Sequence, residues 1–115
     1  MHITINKKDV DLNFGVRFVR ELDKIAGMSV KVQGIKQNFG FALPKVIPGL
    51  QGYDPAILST VLYAAAYDND HRPSQREIDD FIDDPHTNIE KLFDEVLPEM
   101  KKANAVKVAV KNLKA

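Results

Sequence analysis

Cysteine is absent from the 115-residue chain. That excludes disulfides, thiolate metal sites and cysteine nucleophiles. Long hydrophobic runs are missing too: none approaches the ~20 apolar residues of a membrane span. The opening Met1-His2-Ile3-Thr4-Ile5-Asn6 lacks the apolar stretch of a secretory signal. A cytoplasmic protein without a membrane partner is expected. Acidic residues run out after Glu99, where only Lys101, Lys102, Lys107, Lys111 and Lys114 carry charge. Basic residues are scarce just before it. Asp68, Asp70, Glu77, Asp79, Asp80, Asp83, Asp84, Glu90, Asp94, Glu95 and Glu99 are met there only by Arg72, Arg76 and Lys91. A formal net charge of zero thus conceals an acidic region followed by a basic tail. Opposite ends of that kind attract within a chain or between copies, so a homo-oligomer is expected.

With 44% apolar and 28% charged residues the composition is that of an ordinary globular domain, and the length allows one core. The patterning predicts a mainly α fold, a small helical bundle with a short N-terminal β-hairpin. His2–Ile5 and Val10–Phe14 alternate apolar and polar around an Asn6–Asp9 turn. Phe18, Val19, Leu22, Ile25 and Ala26 recur at helical spacing, predicting a helix over Val16–Ala26 with Gly27 as a left-handed cap. Met28–Phe41 is less regular: Val30 and Val32 fit a short strand, and Gly34 and Gly40 mark backbone freedom. Phe39, Leu43, Val46, Ile47 and Leu50 suit a helix with Pro44 in its first turn and an end near Pro48.

The stretch from Asp54 to Lys102 reads as three helices, each with a start signal. Asp54-Pro55 pairs a cap acceptor with a proline at the first helical position. Ser74…Glu77 and Thr87…Glu90 fit the capping box. The predicted helices are Pro55–Tyr67, Gln75–Asp83 and Asn88–Lys102, the last kinked by Pro98. Expected core residues are Phe18, Leu22, Leu58, Val61, Leu62, Phe81, Leu92, Phe93 and Val96. Residues 1–103 form the expected domain, and 104–115 a basic, flexible tail. The alternating Val106, Val108 and Val110 of that tail fit a strand, a helix extension or a segment ordered by a partner.

Chemistry is sparse. Asp68–Asp79 has acids at the first, third and twelfth positions of a calcium loop. Proline replaces the turn glycine, however, arginine sits at the fifth position, and aspartate replaces the bidentate glutamate. Asp79, Asp83 and His86 share one side of a short helix without the spacing of a metal motif. Gly34–Gly40 matches no phosphate loop. The helices are acidic and the positive charge is lysine alone, which counts against nucleic-acid recognition. Catalytic residues, cofactors and metals are accordingly not expected, and function is placed in surfaces.

The run Leu12-Asn13-Phe14-Gly15-Val16-Arg17-Phe18-Val19-Arg20-Glu21-Leu22-Asp23-Lys24 carries a resemblance. So do Gly49-Leu50-Gln51-Gly52-Tyr53-Asp54-Pro55, Leu62–Tyr67, the Pro-Ser-Gln-Arg-Glu-Ile-Asp-Asp helix, and Ile89–Leu97. In that order they resemble the tail assembly chaperones of long-tailed phages and prophages of Gram-positive hosts. The resemblance implies a non-enzymatic protein that binds the tape-measure protein, keeps it soluble and helps deliver tail-tube subunits around it. It also implies that a longer, frameshifted form is made by many members. Amphipathic helices suit such cover, and Val96, Met100, Val106, Val108 and Val110 are the candidate contact residues. Two alternatives stand beside this: a helical adaptor of antitoxin-like type, and a small metal-dependent hydrolase built on Asp79, Asp83 and His86.

Overall fold

The computed structural model describes residues 1–32, 35–40 and 42–113. Gly34, Phe41 and Lys114, singled out above, lie outside the described residues. Six helices and two antiparallel hairpins make up the described chain, so the fold is mainly α with an N-terminal β-hairpin, as the patterning predicts. Strands β1 (His2–Ile5) and β2 (Lys8–Asp11) pair with Ile5 opposite Lys8. The turn between them is therefore two residues, Asn6 and Lys7, both with positive φ of 53° and 65°. Such a turn matches the right-handed twist of the strands. It is tighter than the expected four-residue turn.

The hairpin buries Ile3, Ile5 and Val10 and turns His2, Thr4 and Asp9 outward. Leu12 donates its amide to the Met1 carbonyl, and Asn13 to that of Ala65. Phe14 meets Phe18 edge to face at 5.2 Å, an arrangement that suits the ring quadrupoles. Helix α1 (Val16–Ala26) has the predicted bounds. Gly27 is extended (φ −74°, ψ 166°), so the expected left-handed cap is corrected. The chain passes straight into an extended segment from Met28 there, and a left-handed residue would have turned it away.

β3 (Met28–Val32) and β4 (Ile35–Gly40) form the second hairpin, with an irregularity between Met28 and Ser29. Phe39 is consequently part of a strand and not of the helix assigned to it. Helix α2 (Ala42–Gln51) starts with Pro44 in its first turn but runs through Pro48. The Asp23 carboxylate accepts from the Ala42 amide. Tyr53 donates its amide to the Leu50 carbonyl and Asp54 to that of Gly49, the paired bonds of a Schellman ending. The left-handed position is taken by Tyr53 (φ 57°), although Gly52 precedes it.

Asp54 then opens α3 (Pro55–Ala65), its carboxylate accepting from the amides of Ala56 and Ile57 at 3.0 and 3.2 Å. One residue thus closes α2 and opens α3. Gly49 permits the close crossing that follows, since a β-carbon there would lie 2.8 Å from the Ile57 side chain. α3 touches α1, α2 and α4, and buries Leu58, Val61, Leu62, Ala64 and Ala65.

α4 (Gln75–Asp83) has the predicted Ser74–Glu77 capping box. α5 (Ile89–Lys102) does not use the predicted Thr87 box: the Asn88 side chain accepts from the Lys91 amide at 3.1 Å. The amide oxygen of Asn88 takes the Lys91 amide, one residue beyond the Glu90 amide that a Thr87 cap would use. Residues 104–113, read as a tail, form helix α6 (Asn104–Leu113). It lies against α5, α2 and α1. All nine expected core residues are buried except Phe81, which is half-buried.

Candidate partner-binding surfaces

Alternation of Val106, Val108 and Val110 has a different meaning on a helix, where positions four apart share a face. Val106 is fully buried and Val110 half-buried, on the side packed against the core. Val108 is 61% exposed. Val96 and Met100 are fully buried on α5. Of the five candidate contact residues, Val96, Met100 and Val106 join the protein's own core, Val110 lies at its edge, and Val108 faces solvent. Asn104, Lys107 and Lys111 are exposed with it, giving a helix face of one valine among polar and basic side chains.

The acids of the central region are distributed differently. Ser59, almost fully buried on α3, donates its hydroxyl to Asp79 and receives the Gln75 side-chain amide at 2.7 Å. Asp79 therefore ties α4 to α3. His86 lies at the surface, its Nδ1 3.2 Å from an Asp84 oxygen. Asp84 also accepts from the His86 amide, and that bond, ahead of the ring, holds its carboxyl below the ordinary 3.8. Among the described residues no group of three or more histidine and acidic side chains is placed to hold a metal ion. No helix among them is long and apolar enough to cross a membrane.

The loop 68–73 is structural in detail. Asn69 donates to the Asp11 carbonyl at 2.9 Å and accepts from the Asp11 amide at 3.0 Å. Its side-chain amide thereby imitates a further strand on the outer edge of β2. Arg72 donates twice to the Tyr63 carbonyl at the end of α3, lies 3.8 Å over the Tyr63 ring, and is 3.9 Å from Glu21. Sequence reasoning read both residues only as members of a failed calcium loop. The asparagine after a helix end was the available signal for the first, since asparagine side chains bond to backbone readily.

Two shallow clefts meet at Phe81. One, about 340 Å³, lies between β1 and α4 and is edged by Glu77, Asp80 and Asp84. The other, about 290 Å³, lies between α4 and α5 and is edged by Lys91 and Glu95, with Leu92 in its wall. A larger cleft of about 510 Å³ between the first hairpin and the loop 68–73 is lined mainly by polar and charged groups, Asp9, Asp68, Asp70, His71 and Arg72 among them. These features are open surface relief with mixed charge. Such surfaces suit contact with another macromolecule more than enclosure of a small substrate.

Comparison with known proteins agrees with a binding role. Neither a curated protein nor a solved structure matches the chain. A family model, the phage tail assembly chaperone protein, TAC, matches residues 2–114. Because that match takes in all six helices and both hairpins, the chain belongs to the phage tail assembly chaperone family.

Proposed function

We propose that this protein is a non-enzymatic chaperone of the host cell cytoplasm that binds the tape-measure protein, in several copies, and assists assembly of the tail tube around it. The family match over residues 2–114 carries this reading. A tape-measure protein is expected to be long and helical, with apolar faces that need cover until the tube encloses them. Helix-on-helix contact of that kind is supplied by short amphipathic helices at a surface. α6 offers Val108 to another chain, a second copy or the tape-measure protein. Val96, Met100 and Val106 act indirectly, by fixing α6 on the body of the domain.

Co-expression with the tape-measure protein of the same phage or prophage tests the proposal. The expected outcome is a tape-measure protein shifted from the insoluble to the soluble fraction and co-purifying with the chaperone. An unchanged insoluble fraction, with a folded chaperone present beside it, would overturn the reading.

A further inference from the structure

The exposed face of α6 and the exposed face of α4 carry the same pattern with opposite sign. α6 presents Lys107, Val108 and Lys111, and α4 with its cap presents Asp80, Phe81 and Asp84. In each, a charged residue is followed at once by an apolar one, and the second charge comes four residues after the first. Four residues is about one helical turn, so both pairs of charges are spaced by about 6 Å along their elements. Lys107 and Lys111 make no ion pair among the described residues, and neither does Asp80; Asp84 accepts from the exposed His86 and keeps 53% of its side chain exposed. Phe81 is half-buried where the two clefts meet, and Val108 is the most exposed large apolar residue described.

We infer that α6 of one copy docks on the α4 face of a second copy, with Val108 against Phe81 and the two lysines against Asp80 and Asp84. The occupant is a second copy because the charges match in number and spacing, and because α6 carries no acid of its own. The two faces are different patches of one molecule, so the contact is head to tail. A bound pair leaves one free face of each kind, and association continues into a row or a ring. This deepens the multi-copy part of the proposed function and rests on it. It names which of the two chains α6 meets: the next chaperone and not the tape-measure protein.

Exposed charge pairs contribute little each and are screened by salt. The contact is therefore weak and concentration-dependent. It should dissolve as the screening length falls from about 10 Å at 0.1 M salt to about 3 Å at 1 M.

Sedimentation velocity of the full chain at low salt, over a range of concentrations, reads this directly without any tail protein. The wild type should show species larger than monomer. Lys107→Glu/Lys111→Glu should sediment as monomer, and so should Asp80→Lys/Asp84→Lys, each still folded by far-UV circular dichroism. Mixing the two variants should restore the larger species, because each then meets a face of opposite sign. A monomeric wild type at every concentration would overturn the inference and leave the α6 face to a different partner. Reversal variants that associate like the wild type, or a mixture that stays monomeric, would overturn it equally. Tape-measure solubility is a separate readout, so failure here and failure of the proposed function are distinguishable.

Discussion

Tyr53 stacks on Phe93, ring centroids 4.8 Å apart and planes 14° from parallel, while its hydroxyl donates to Asp94 at 2.5 Å. A residue that ends α2 is thereby held onto α5. The contact accounts for a tyrosine at a left-handed position that glycine ordinarily takes. The ring and hydroxyl offset the backbone cost. Tyr53→Ala removes both and keeps the unfavourable backbone, so its melting temperature should fall below wild type. Tyr53→Gly removes them and relieves the backbone, so it should fall less. Thermal denaturation of the two variants checks the order, and an alanine variant as stable as wild type would refute this account.

Acid should weaken the fold through the carboxylates it uses as acceptors. The Ser74 amide, then the Ser74 side chain and the Asn6 amide group, hold the Glu77 carboxyl below its ordinary 4.5. Glu99 is held below 4.5 by its bond to Lys102. A carboxylate whose folded pKa is lowered contributes stability above its unfolded value and loses it as pH falls through the folded value. The melting temperature should therefore be flat at neutral pH and decline below about pH 4.5. Glu77→Gln keeps an acceptor for Ser74 but does not titrate, and its decline should be shallower. Melting curves from about pH 7 to about pH 3 test this; parallel declines would assign the acid sensitivity elsewhere.

Tyr53 gives the opposite limb. Its phenol is pushed above the ordinary 10.0, first by the hydrogen bond to Asp94 and then by lost hydration and the Asp94 and Glu90 charges. A raised folded pKa means stability that is complete below the unfolded value and lost as pH rises through the folded one. Ultraviolet titration should show the Tyr53 phenol ionising above its ordinary 10.0, and Asp94→Asn should bring it earlier. A titration unmoved by that substitution would remove Asp94 as the cause.

Leu62 and Val106 report on the core from the middle and the end of the chain, both fully buried. Leu62→Ala should cost about 2–5 kcal/mol through lost burial and a residual cavity. Val106→Ala should cost about 1–3 kcal/mol, the range for burying a smaller side chain. Denaturant unfolding measures both. A negligible cost at Val106 would mean that α6 is not fixed on the domain and that the tail expected from composition is the better description.

Asn69 seals the edge of β2 through paired bonds with Asp11. Asn69→Ala should cost about 0.5–1.5 kcal/mol, the net worth of an ordinary hydrogen bond, since the exposed backbone groups it frees turn to water. Amide exchange in the first hairpin should quicken more than exchange in α3. Uniform acceleration across the domain would show that the latch has no local role.

How much of this was legible in the sequence depends on the range of the interaction. Helix starts are written in adjacent residues: Asp54-Pro55 and Ser74…Glu77 bond within a single turn, so the chain next to them suffices. The α1 bounds and the buried stripes of α3 and α5 follow from apolar spacing alone. Competing local signals are weaker guides, and Asn88 displaced Thr87 as a cap because both can reach a free amide. Phe39 fits a helical spacing yet is in a strand, because pairing with β3 outweighed local periodicity.

The valines at the end of the chain mark the limit most clearly. Val106, Val108 and Val110 alternate in sequence, which suits a strand as well as a helix. Only the docking of α6 on α5, α2 and α1 decides that Val106 is buried and Val108 faces solvent. The charge imbalance between residues 68–99 and the lysines after Glu99 was determined by the sequence. Tertiary structure decided which of those charges are tied inward, as Asp79 is to Ser59, and which stand exposed at matching spacing, because long-range burial is not encoded in any one segment.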